Sequence, residues 1–227
     1  MALLSACGGS VESKIKEGKN PATNTYQAKP ACAASSPYIL MVSDSDGVNP
    51  QQLETMLCSF FSAYPKIVLA LNPRAKTTVH WVFQTQPDIN ASAWTLDDTV
   101  YFSKPYLASH LNDTDLVVHE LTHVVQWSLV GFTPRFLVDG IKDPSLKDIT
   151  KLELTGAMPR WIIEATADVM RDTYGQHNKE AGWALPSAYQ YGQHYLGGYE
   201  EAAAFFKWID LHYRMNQTSI SLALSNA

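Results

Sequence analysis

The run from about Asp113 to Ser128 constrains this chain more than any other segment, because it is apolar nearly all round a helix yet carries two histidines and a glutamate. Leu116, Val117, Val118, Leu121, Val124, Val125 and Trp127 leave no broad face for solvent, which predicts a buried core helix. Asn112 reads as its N-cap, and Asp113 and Asp115 put negative charge where a helix N-terminus favours it. His119 and His123 stand four residues apart and share a face, with Glu120 beside them. Burying such groups without partners is costly, so another element must compensate them.

A metal ion suits this pattern. His119-Glu120-Leu121-Thr122-His123 has the HExxH form of zinc peptidases, in which both imidazoles reach one Zn2+ and the glutamate faces its open position. A catalytic zinc takes three protein ligands and keeps a fourth position for water, and Glu164 is the candidate third ligand. It lies in a helix predicted from Pro159, suited to the first helical position, to Tyr174, with Gly175 as the stop. Asp168, four residues on, can accept the second N–H of one histidine, His119 being favoured, and so fix its tautomer. A glutamate and an aspartate at this spacing, on the helix after HExxH, form the gluzincin arrangement. Glu120 would take a proton from water and return it to the leaving amine. The oxyanion needs a further donor, for which Tyr199, His194, Tyr195 and Tyr191 are candidates, Tyr199 being favoured.

Three blocks carry a family resemblance. His119–Trp127 (HELTHVVQW), Trp161–Asp168 (WIIEATAD) and Gly198–Phe205 (GYEEAAAF) resemble, in order and content, successive blocks of the basic secretory protein family of plants and bacteria. The resemblance spans roughly residues 36–215 and implies a gluzincin-type zinc metallopeptidase. It implies an α+β, zincin-like fold: a small mixed sheet plus helices in the N-terminal lobe, a mainly helical C-terminal lobe, and the active-site cleft between. His119, His123 and Glu164 would hold the zinc and Glu120 would be the catalyst. Ala165 stands where the family carries Gly, residues 129–158 read as an insertion between the ligand helices, and the chain is acidic, at net charge −5. The alternative function is a non-catalytic peptide- or surface-binding lipoprotein that retains the scaffold.

Mild acidity with no basic cluster argues against nucleic acid as a partner. No apolar run is long enough to span a bilayer, so membrane attachment is expected only through a lipid anchor. Leu4-Ser5-Ala6-Cys7-Gly8 resembles a bacterial lipobox, with Cys7 as the lipidated residue and Gly8 favouring the outer membrane. Residues 1–36 read as this anchor and a flexible tether, and 37–227 as a single domain. The expectation is an exported monomer, anchored at the bacterial envelope or secreted, that acts on a peptide or protein. With Cys7 set aside, Cys32 and Cys58 form the even pair that an oxidising compartment favours.

Strands are expected at Tyr38–Val42, Thr78–Phe83 and Thr99–Ser103, and a helix at Pro50–Leu71 capped by Asn49. Thr99–Ser103, ended by Pro105, is expected at the cleft rim with a free edge for an extended peptide. Trp183–Tyr195 is aromatic-rich and suits a cleft wall, and Tyr199–Tyr213 reads as a final amphipathic helix.

Overall fold

Alternating burial along Thr78–Gln84 builds the centre of the sheet, with Val79, Trp81 and Phe83 facing the core. The computed structural model describes residues 24–33, 36–86, 91–128, 160–187 and 199–213. In chain order, β1 (Thr25–Gln27) pairs antiparallel with β2 (Ile39–Ser43), and helix α1 (Pro50–Leu71) leads to β3 (Thr78–Gln84), which is parallel to β2. Next, β4 (Ala93–Leu96) and β5 (Thr99–Ser103) pair antiparallel, and β5 lies parallel to β3. The sheet order is β1-β2-β3-β5-β4, so the fold is mixed α and β with a small mixed sheet.

Helix α1 begins as its sequence predicts: the Asn49 side chain accepts from the N–H groups of Gln51 and Gln52, and Pro50 opens the first turn. Its Phe60 and Tyr64 rings stack at 5.2 Å, and Phe60 meets Trp81 edge-on at 6.0 Å. Trp81 in turn packs against Phe102 of β5 at 5.2 Å, which ties helix to sheet. A disulfide joins Cys32 to Cys58 on α1, 26 positions apart. Residues 25–27, within the stretch read as tether, are a strand of this sheet.

Three local expectations are corrected. Thr99–Ser103 is not the edge, because β5 is paired on both sides and the shorter β4 is outermost among the described residues. Chain order suggested the strand nearest the HExxH segment; hairpin pairing places β4 beyond it. Pro105 does not simply end a strand, since Pro is well suited to a first helical turn and lies in α2 (Lys104–Ser109), capped by the Ser103 hydroxyl. Helix α3 runs from Leu116 to Trp127, beginning later than expected, and Asn112 is not its cap. Asp115 stands at the cap position with its carboxylate turned to tertiary partners, the Ser59 hydroxyl and the His177 N–H.

Helix α4 (Arg160–Tyr174) stops before Gly175; α5 (Asn178–Ala181) is one short turn, and α6 (Tyr199–Tyr213) follows. α3 packs between α1 and α4, and α4 packs on α6. Nearly every residue of α3 is buried, as its composition demands. Among the described residues no helix is long and apolar enough to cross a membrane. Cys7 and the tether to residue 23, the segment 129–158, Pro159, and Tyr191, His194 and Tyr195 lie outside the described residues.

Candidate metal centre

Helical spacing on α3 and α4 brings three ligand atoms to one point. His119 Nε2 lies 3.1 Å from His123 Nε2, and Glu164 Oε2 lies 3.3 Å from the first and 3.5 Å from the second. Four-coordinate zinc with bonds of about 2.0–2.1 Å separates its ligand atoms by about 3.3–3.4 Å, so the three edges match a tetrahedral face. All three side chains are largely withdrawn from solvent.

The neighbours of the rings decide which nitrogens face the centre. Asp168 Oδ1 lies 2.7 Å from His119 Nδ1, and a carboxylate can only accept, so Nδ1 carries the hydrogen. Gln126 does the same for His123 by a longer argument. Its Nε2 donates to the Ile163 carbonyl at 3.1 Å, which fixes the amide orientation and turns Oε1 to His123 Nδ1 at 2.8 Å. With each ring neutral, both Nε2 atoms present lone pairs to each other and to Glu164 Oε2, a mutual repulsion that a shared cation removes. The donor set of two imidazoles and one carboxylate fits zinc.

Glu120 is fully buried beside this cluster on α3. The Thr95 hydroxyl of β4 lies 2.7 Å from Glu120 Oε2 and 3.2 Å from the Glu120 carbonyl, so the edge strand reaches the carboxylate directly. Tyr199 opens α6 with a left-handed φ of 51°, and its ring lies nearly parallel to that of His119, centroids 6.4 Å apart. Left-handed backbone is costly for an aromatic residue and is held by its surroundings.

A polar network clamps the far end of the α3–α4 seam. Arg171 Nη2 donates to Asp113 Oδ1 at 2.5 Å, Arg171 Nε donates to Asn178 Oδ1 at 3.0 Å, and the guanidinium stacks 4.3 Å from the Trp183 ring. Trp183 Nε1 donates to Glu200 Oε1 at 3.0 Å. Burial, with Asp168 and Glu201 nearby, pushes the Glu200 carboxyl up. Gly175 is required here by space: a Cβ would stand 2.5 Å from the Arg171 carbonyl oxygen and Asn178 Nδ2, and 2.9 Å from Asp115 Oδ2.

The structure thus brings together His119, Glu120, His123, Glu164 and Asp168, and sets the Tyr199 ring near them. Sequence reading assigned no role to Gln126 or Thr95. Gln126 could be suspected as a polar residue three positions after His123 on an apolar helix; a lone threonine in a short strand carries no such signal.

One family model, the eCIS core domain, matches residues 82–129, less than half of the chain. This match overturns the resemblance to the basic secretory protein family. The blocks behind that resemblance were short, and HExxH recurs wherever two histidines must reach one metal from a helix. The matched interval holds β4 and the HExxH helix but ends before Glu164. No curated protein and no solved structure matches the chain.

Proposed function

We propose that the protein is a zinc-dependent peptidase of gluzincin type on a zincin-like scaffold. One observation carries the reading: two imidazole lone pairs and a carboxylate oxygen converge at 3.1–3.5 Å, the spacing of ligands around tetrahedral zinc. His119, His123 and Glu164 would hold the ion, and Asp168 and Gln126 orient the two rings. When bound, zinc supplies Lewis acidity and lowers the pKa of water.

Glu120 takes the proton from the attacking water and returns it to the leaving amine, so the peptide bond breaks with no net proton change. Tyr199 is the candidate donor to the oxyanion. The substrate is a peptide or protein that adds to β4, outermost in the described sheet. The disulfide fits an oxidising compartment, which supports export, with a lipid anchor at Cys7 as the route of membrane attachment.

Zinc content of the purified protein tests the centre. About one zinc per chain in wild type, lost in Glu164→Ala, is expected. Peptide-library cleavage by wild type, falling about 10²- to 10⁴-fold in Glu120→Gln while zinc is retained, tests the chemistry. Zinc bound without any cleavage would replace the enzyme with the non-catalytic binding protein.

A further inference from the structure

The hydroxyl of Thr95 joins two parts of the molecule that the reaction uses separately. Thr95 is 8% exposed on β4, with its side chain turned to α3. Its single hydroxyl hydrogen can serve only one acceptor at a time, and Glu120 Oε2 at 2.7 Å is nearer than the Glu120 carbonyl at 3.2 Å. A hydroxyl donating to an ionised carboxylate makes one of the stronger hydrogen bonds available, and this one is shielded from water. It holds the Glu120 carboxylate by Oε2.

The backbone of the same residue faces the other way. Ser103 N–H donates to the Ser92 carbonyl at 3.0 Å, which makes that opposed pair hydrogen-bonded. In an antiparallel ladder hydrogen-bonded and non-bonded pairs alternate, and the register opposes Thr95 to Val100. Trp94 and Leu96 therefore turn their N–H and C=O groups to β5, whereas those of Ala93 and Thr95 point to the outer side of the sheet.

We propose that Thr95 is a positioning residue that couples peptide docking to Glu120: its N–H and C=O pair with the substrate backbone while its side chain orients the carboxylate that handles the proton. The inference rests on the peptidase reading above. An extended peptide that straightens or shifts β4 at Thr95 moves the Oγ anchor of Glu120 with it. Correct pairing thereby sets the base, and binding away from the scissile bond is converted into rate.

Thr95→Val keeps the β-branched shape and removes the hydroxyl. Its zinc content and KM are expected to stay near wild type, KM within about twofold, while kcat falls about 10- to 100-fold, the scale of a lost hydrogen bond to a charged group. Thr95→Ser should restore kcat to within about threefold, because it returns the hydroxyl. In wild type, lengthening the peptide along β4 should raise kcat, and in Thr95→Val that gain should vanish. A crystal structure of zinc-loaded Thr95→Val should show the Glu120 carboxylate displaced or split between positions.

Wild-type kcat in the valine variant, or no rescue by serine, overturns the proposal. If the valine variant does not fold, Thr95→Ala carries the same readouts. A wild-type protein that holds zinc but cleaves nothing defeats the peptidase reading instead. The crystallographic position of Glu120 then still decides: an unmoved carboxylate refutes the Thr95 anchor, and a displaced one supports it.

Discussion

The sheet and α1 bury themselves with aromatic and aliphatic side chains, Phe60, Tyr64, Trp81 and Phe102 among them, whereas the α3–α4 seam buries His119, Glu120, Gln126, Glu164, Asp168 and Arg171. Among those rings and aliphatic chains, close packing rather than matched polar geometry makes the contacts. In the seam every polar atom needs a matched partner, and three ligand atoms point at a common centre. On the proposed reading, the difference separates what holds the molecule together from what it does. The first region should be indifferent to zinc, and the second should answer to it.

Four measurements would break or sharpen that contrast. The largest effect is expected at Phe60→Ala, which empties a fully buried site and should cost about 3–5 kcal/mol of stability. Calorimetry should find the loss equal with and without zinc, and a loss that depends on zinc would mean that the regions are not separate. Next, Cys32→Ala with Cys58→Ala should remove about 3 kcal/mol by freeing the unfolded chain. Chemical denaturation measures that cost, while zinc per folded chain stays unchanged. Gln126→Leu should act in the opposite way. Loss of the His123 anchor should weaken zinc about 10- to 100-fold in a competition titration, with a smaller gain in Tm on adding zinc.

The smallest effect concerns Glu200. Its carboxyl is raised in the folded protein, so the fold favours the protonated form, and stability is lost as pH rises through the carboxylate range. Glu200→Gln removes that cost and keeps an oxygen for Trp183 Nε1. The variant should melt higher at neutral pH, and the advantage should shrink as the pH falls into the carboxylate range. A Tm difference independent of pH would contradict the sign.

What could be read in the sequence follows from how local each signal is. His119, Glu120 and His123 lie within little more than one turn of helix, and so do Glu164 and Asp168, so spacing alone groups each set. Helix α1 was equally legible, from the Asn49 cap to Leu71, because cap chemistry and apolar period both lie within the segment. Thr95 was not, since its partner is 25 residues away, and Gln126, though three positions from His123, has its amide orientation set by a carbonyl 37 residues away. The edge strand escaped for a similar reason. Four residues of β4 give too short an alternation to read, and the order of strands in a sheet is set by pairing rather than by sequence. Pro105 shows one residue type serving two ends: proline stops a strand and opens a helix, and only the Ser103 cap tells which applies.

Gly175 closes the end of α4 with no room to spare. It sits at the end of α4, about 16 Å of helix beyond Glu164, where Asp115 at the start of α3 reaches across. A single added methyl there would press on the Arg171 carbonyl of its own helix and on the Asn178 amide before it met the Asp115 carboxylate, so the turn by which the chain leaves α4 has room for a hydrogen and nothing larger.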